Sequence, residues 1–414
     1  MSTLKNYAPT FFLLCGIFAG GICGIVFGED TVVVKPVGDL FMNLMFTLIV
    51  PLVFFSVSSA ICNMKRTNKV GKVLGSILCV FFATTLVAAL VAYVVTLIYN
   101  PLEGVSPSGL SAGLPGQAVA QRAFADVAVN AFTVSDFLLL FTKANLLPLI
   151  LFSILLGLAT AFSGEKGKPV AVFLDAATHV VLKTMNIIMK AAPAGLGCYF
   201  ATITGQVGGQ ILNGYLHVFM LYLILAGIGF FGLNSLYAFL AGGTEGLVAF
   251  WKNIPTPFLT AVATSSSAAC ISVNIDAAKR IGVPAGIAET VIPLGTNIHK
   301  DGSVMGGILK IIFLLTIFGQ DVTQLSNIFP ILGTGLLVGV VMGAIPGGGM
   351  TGELLICSVF GADPRLAGTL MIISTIIDVP ATVLNSTGNV TCSMLTARLT
   401  EGNRWKRKQY KQQK

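Results

Sequence analysis

Three consecutive ionisable residues, His299-Lys300-Asp301, stand where the surrounding sequence is apolar; Val304–Phe318 follows them with Lys310 as its one charge. A charge carried to the middle of a bilayer costs about 2.5–3.5 kcal/mol, so such residues persist where they face protein or water. Imidazole, ammonium and carboxylate side by side supply proton transfer, ion pairing and cation ligation. A second constellation lies in the last apolar segment. Asp378, Thr382, Asn385 and Asn389 are spaced i, i+4, i+7 and i+11, with Ser374 one turn earlier, so a helix puts all five on one face. A carboxylate beside amide and hydroxyl oxygens suits an ammonium group or a hard cation.

Other segments supply backbone and hydroxyls. Thr264-Ser265-Ser266-Ser267 at a tip would present hydroxyls and free N–H groups to a carboxylate. Pro346-Gly347-Gly348-Gly349 exposes backbone with no side chain in the way and supplies a hinge. Gly295–Ser303, with glycine near both ends, predicts an unwound stretch with free carbonyls, and Thr84-Thr85 adds two hydroxyls from an earlier apolar run. Structural readings stand beside these. The last-span ladder is also a polar helix–helix contact, Lys300 and Asp301 neutralise each other, His299 is a hydrogen-bonded core histidine, and Lys310 pairs with Glu353. An enzymatic reading takes Ser265–Ser267 as nucleophile and His299, Lys300 or Asp301 as base and orienter of an intramembrane serine hydrolase. No oxyanion motif accompanies it.

The elements that must position these residues follow from composition. The chain is 55% hydrophobic and 10% charged with a mean hydropathy of +0.86. A soluble domain carries about 25% charged residues, so an all-α polytopic membrane protein is expected. The net charge of +8 resides in short loops and at the chain end, which gives no nucleic-acid signal. Most of the eight cysteines fall in apolar runs, among them Cys15, Cys23, Cys79 and Cys357, and are expected as small buried hydrophobes; no CxxC spacing occurs. Spanning runs occur at about 10–28, 37–63, 74–99, 146–163, 180–205, 213–240 and 366–397, and the first, Thr10–Phe27, reads as a helix that stays. Asn100–Asn130, rich in Gly, Pro and Ala, reads as an exposed loop.

Basic residues set the orientation. Lys65, Arg66, Lys69 and Lys72, then Lys166 and Lys168, then Lys279 and Arg280, then Arg404–Lys414 mark one side; Glu29-Asp30, Thr204–Gln210 and Gln320–Gln324 mark the other. Both termini are then cytoplasmic, with eight crossings if residues about 250–283 and 330–362 enter and leave on one side as re-entrant hairpins. Non-helical backbone at membrane depth is tolerated where it is buried or lines a cavity. Two interrupted segments in corresponding places point to inverted repeats around a midplane site.

Together these pieces resemble the dicarboxylate/amino acid:cation symporter family, which includes the glutamate transporters. The resemblance is carried by Leu40–Ser58, Asn145–Gly157, Met189–Gly195, Thr264–Ala269, Pro293-Leu294-Gly295, Asp301-Gly302-Ser303 and Ala344–Gly349. It implies eight transmembrane helices plus two re-entrant helical hairpins, an elevator-type transporter and a homotrimer. Residues 1–73 and 100–249 would form the scaffold with an external loop, 74–99 and 250–400 the transport core, and 401–414 a basic cytoplasmic tail. Ser265 and Ser266 would hold the substrate α-carboxylate with Asn385, Asp378 and Thr382 would take its ammonium, and Ser303 and Gly349 would lie near its side chain. Thr84, Thr85 and Asp301 match one sodium site, and Gly295, Asn385 and Asn389 another. The coupling ion would be Na⁺ or H⁺, with no other cofactor.

Departures from the family pattern sharpen the expectation. Ala381 stands where acidic-substrate members have an arginine, and Thr264 where an arginine could alternatively stand, so the guanidinium clamp for a side-chain carboxylate is missing. Thr382–Ser386 looks more like the serine/threonine carriers, which favours a small neutral amino acid. The alternative is a dicarboxylate or acidic amino acid held by Lys300 in place of the arginine. The usual Asn-Met-Asp-Gly-Thr reads His299-Lys300-Asp301-Gly302-Ser303, Asn389 replaces an aspartate, and Met342 a threonine. We therefore expect one or more sodium ions to be lost, with Lys300 occupying an ion's place and His299 or Lys300 carrying a proton instead. The expected setting is a bacterial inner membrane, with lipid and a small-molecule substrate as partners.

Overall fold

The computed structural model describes residues 2–62, 70–99, 133–142, 145–207, 210–342 and 349–402. Lys65, Arg66, Lys69, the Asn100–Asn130 loop, Pro346–Gly348 and the basic tail from Arg404 lie outside the described residues. Within them the chain is helical and no strand occurs. Five helical stretches are long and apolar enough to cross a membrane, and three shorter apolar helices accompany them.

One group of helices comprises α1 (Ser2–Phe27), α2 (Lys35–Cys62), α5 (Leu146–Phe162), α6 (Lys168–Met189) and α7 (Ala192–Val207). The third and fourth helices in chain order are α3 (Val70–Ile98) and the four-residue α4 (Phe137–Leu140). α1 lies on α7 through glycines four apart. A Cβ on Gly16 would stand 2.3 Å from the Pro193 carbonyl oxygen, and one on Gly20 2.1 Å from that of Gly197. Small residues at this spacing let two backbones approach in lipid, where no hydrophobic drive separates helix from acyl chain. Phe18, Ile22 and Phe27 of α1 and Val172 and Phe173 of α6 are exposed, as an outer face solvated by lipid requires.

The second group surrounds α13 (Asp301–Ile317), which is buried along its length except at Thr316. Against it or its neighbours pack α3, α8 (Gln210–Gly227), α9 (Asn234–Asn253), α12 (Ala285–Ile298), α14 (Leu325–Val341), α15 (Gly349–Phe360) and α16 (Leu366–Glu401). A helix apolar all round has nowhere to expose a polar face, so it becomes the core. α10 (Pro255–Thr264) and α11 (Ile271–Ile281) fold back on each other, and both lie on α16. Asn274 of α11 fixes that position by donating to the Ser386 carbonyl (3.1 Å) and hydroxyl (2.8 Å). Asn234 of α9 likewise donates to Thr387 and accepts from Thr391, each at 3.2 Å.

The structure redraws several sequence boundaries. The fifth run, 180–205, divides at Lys190-Ala191 into α6 and α7. Pro193 cannot continue the hydrogen-bond ladder of the preceding turn, which favours a new start there. The sixth run, expected with the scaffold, packs through α8 and α9 on α16 and α13. α9 bends at Gly243, whose φ of +61° a side chain would resist. Cys15, Cys23 and Cys79 are exposed on outer helix faces rather than buried, because an apolar residue in a spanning helix can face lipid as well as core; Cys357 is buried as expected.

Candidate functional site

The break in the seventh apolar segment is short. α12 ends at Ile298 and α13 starts at Asp301, leaving His299 (φ −127°, ψ 107°) and Lys300 (φ −141°, ψ 75°) extended between them. Successive side chains of extended backbone point to opposite sides. The two residues accordingly enter different environments.

His299 is 1% exposed and stacks on Phe81, with ring centroids 4.6 Å apart and planes at 20°. Its Nε2 lies 2.9 Å from Thr84 Oγ1 and 3.0 Å from Asp301 Oδ1. Its Nδ1 lies 3.0 Å from Asn389 Oδ1. Cys392 Sγ stands 3.7 Å from Nε2. Thr85 donates to the same Asp301 oxygen at 3.1 Å. Three of the residues matched to sodium sites, Thr84, Asp301 and Asn389, thus converge on this ring. Gly295 belongs to the same packing, since a Cβ there would stand 2.1 Å from Asn389 Oδ1. Lys300 is not in this cluster, and Asp301 pairs with His299 and Thr85 rather than with its neighbour Lys300.

Lys300 points toward Asp378 of α16. Each is the charge that acts on the other, although no direct ion pair joins them. The lysine is 6% exposed, and its ammonium has no hydrogen-bond partner among the described residues. Asp378 is exposed. One turn along α16 lies the buried Thr382, and then Asn385. Asn385 Oδ1 accepts from the Ser303 backbone N–H at 3.1 Å, and its Nδ2 donates to Ser303 Oγ at 3.0 Å. Asn389 Nδ2 in turn donates to the Asn385 carbonyl at 2.7 Å. Asn385 and Asn389 of the last span therefore face the broken segment.

The tip between α10 and α11 lies beside α16. Ser265 caps α10 with φ +45°, the one non-glycine positive φ among the described residues. Ser266 accepts from the Ala269 N–H at 3.3 Å, and its own N–H donates to Thr264 Oγ1 at 3.3 Å. Gly349 opens α15.

Several participants carry no motif. Tyr222 of α8 donates to the Gly302 carbonyl at 2.8 Å, tying α8 to the first turn of α13. A Cβ on Gly302 would stand 2.5 Å from the Ala381 carbonyl oxygen, so α13 and α16 touch at the position where an arginine was missing. Cys392 and Phe81 were within reach of sequence reasoning, each three residues along its helix from a selected residue, Asn389 and Thr84. Nothing in the sequence points to Tyr222.

The model of the sodium:dicarboxylate symporter family matches residues 10–399. The C4-dicarboxylate transport protein of Bacillus subtilis is 29% identical over 334 residues, covering 78% of this chain and 76% of that protein. The proton/sodium-glutamate symport protein of the same organism is 26% identical over 404 residues, covering 94% and 92%. The C4-dicarboxylate transport protein of Brucella anthropi is 30% identical over 316 residues, covering 73% and 68%.

Proposed function

Because the chain belongs to the sodium:dicarboxylate symporter family, we propose that it imports a C4-dicarboxylate in symport with cations, using Lys300 as the charge that holds one substrate carboxylate. The chain is a secondary transporter and not an enzyme, and with its several apolar helices it is a multi-pass membrane protein. The observation that carries the substrate reading is the Lys300 side chain, 6% exposed, whose ammonium lacks a hydrogen-bond partner among the described residues and has the exposed Asp378 carboxylate as the charge that acts on it. A largely desolvated ammonium without protein partners is costly, and a substrate carboxylate accepting its protons offsets that cost. The neutral amino acid favoured by Thr382–Ser386 finds no support among the relatives, whose names give C4-dicarboxylate and glutamate.

In this reading Ser265, Ser266 and Asn385 take the other carboxylate through hydroxyl and amide groups. Thr382, Ser303 and Gly349 line the substrate, and Lys300 compensates Asp378 when the substrate brings no ammonium. An acidic amino acid is the second reading. The exposed Asp378 carboxylate favours it, because a substrate ammonium would find a partner there. Eight crossings with two re-entrant hairpins, an elevator movement of the core against the α1–α2–α5–α6–α7 group, a homotrimer, and an inner-membrane location with cytoplasmic termini complete the proposal. The two-group packing and the folded-back α10–α11 pair support it.

Uptake of labelled succinate into proteoliposomes, in competition with aspartate, glutamate and serine, tests the substrate class. Succinate and its C4 analogues should compete best, and Lys300→Met should abolish their uptake. Preferential competition by serine, or full succinate uptake by Lys300→Met, would refute it.

A further inference from the structure

The sodium positions implied by the family can be compared with the groups that surround them. A hard cation is held by oxygens, above all by carboxylates, converging on one point. Here Thr84 Oγ1, Asp301 Oδ1 and Asn389 Oδ1 do converge, but on the two nitrogens of His299, at 2.9, 3.0 and 3.0 Å. The orientation of each oxygen is fixed by a further bond. Asn389 Nδ2 donates to the Asn385 carbonyl at 2.7 Å, so the amide presents its oxygen to the ring. The Thr84 hydroxyl donates its one proton to the Val80 carbonyl at 2.8 Å, so it accepts from the ring. Asp301 Oδ1 already accepts from Thr85. Both ring nitrogens therefore face acceptors, and a ring that donates from both is an imidazolium.

We propose that the imidazolium of His299 is a built-in cation that fills the position between Thr84, Asp301 and Asn389, so that no Na⁺ binds there. The charge count agrees. The cluster holds one carboxylate, Asp301, and Asn389 contributes a neutral oxygen, so one positive ring completes it and leaves no net charge to attract a metal ion. Tyr237, which reaches the Thr84 carbonyl at 3.5 Å, and Cys392 add no further cationic group. The ring does not swing aside at low cost, because Phe81 covers one face and the residue is 1% exposed. It is therefore His299, and not Lys300, that stands in for the ion.

This inference rests on the reading of the chain as a cation symporter, but its test reads ion binding and ring protonation rather than uptake. The chain has three histidines, His179, His217 and His299. Histidine-selective ¹⁵N NMR of the full-length protein in nanodiscs, assigned with His179→Gln and His217→Gln, should show both His299 nitrogens protonated at neutral pH. Those signals should not move as NaCl replaces choline chloride. Equilibrium binding of radioactive Na⁺ should show one more ion per chain in His299→Asn and His299→Gln than in the wild type. A saturable Na⁺-induced shift of the His299 signals, or a ring with one bare nitrogen, overturns the proposal. So do folded variants that bind no additional Na⁺. The wild-type spectrum decides if the variants do not fold.

Discussion

Lys310 of α13 and Glu353 of α15 form an ion pair with side-chain exposures of 1% and 0%, and Ser374 of α16 accepts from the same ammonium at 2.6 Å. Three helices of the core are joined at this point, while Glu353 Oε2 has no hydrogen-bond partner among the described residues. Taking both charges out of solvent costs about as much as their attraction returns, whereas removing one leaves the other uncompensated. Lys310→Met alone and Glu353→Gln alone should each lower stability, by about 3–5 kcal/mol for a fully uncompensated charge. The double variant Lys310→Met/Glu353→Met should be closer to wild type than either single one. Thermal unfolding in detergent reads the order, and additive losses would argue against a coupled pair.

Asn385 makes two bonds to Ser303, one in each direction. Asn385→Ala leaves the buried Ser303 N–H without its acceptor and should cost about 1–3 kcal/mol. Asn385→Asp keeps the acceptor and loses the donor. Both should weaken substrate binding, measured by isothermal calorimetry, with Asn385→Asp the more stable of the two.

Ser265 holds a left-handed backbone that costs an L-residue about 1–2 kcal/mol. Ser265→Gly should raise thermal stability while lowering substrate affinity through loss of the hydroxyl. Ser265→Val should lower both. Equal substrate affinity in the glycine variant would remove the hydroxyl from the site.

Gly20 allows α1 to touch α7, and any Cβ there meets the Gly197 carbonyl oxygen at 2.1 Å. The obstacle is backbone, so the helices must part. Gly20→Leu should cost at least the about 1–3 kcal/mol of ordinary overpacking, and it should leave sodium and substrate affinities of the folded fraction unchanged. A lower thermal unfolding midpoint in detergent would report the loosened contact.

Asp363 and Arg365 lie in the exposed turn before α16, with Arg365 Nη2 2.7 Å from Asp363 Oδ2. The guanidinium hydrogen bond holds the Asp363 carboxyl below its ordinary range. A depressed carboxylate stabilises the fold above its unfolded-state pKa and loses that contribution as pH falls through the folded one. Arg365 is largely exposed, so the effect is at most about 1 kcal/mol. Asp363→Asn should lower the neutral plateau of a stability–pH curve by that small amount and flatten its acid limb, leaving the most acidic end unchanged.

Much of this site is legible in the sequence. A spacing of four, three and four residues on a helix leaves one possible face, which is why Asp378, Thr382, Asn385 and Asn389 could be aligned from their numbers alone. The charge cost of a bilayer marked His299-Lys300-Asp301 as facing protein or water, and it paired Lys310 with Glu353 for want of other partners. The division of 180–205 and the side taken by α8 and α9 were less accessible, because a continuous apolar run does not state which neighbour it packs against.

What the sequence alone determined, then, is the inventory: which side chains are too costly to face lipid, and which of them share a helix face. Only the tertiary structure decided their destinations. His299 and Lys300 are adjacent on two residues of extended backbone, so they must diverge, but no local rule says which goes where. Packing of α3 and α16 around the break sends the imidazole to Thr84 and Asn389 and leaves the ammonium facing Asp378. A shift of one residue in that break would exchange the two.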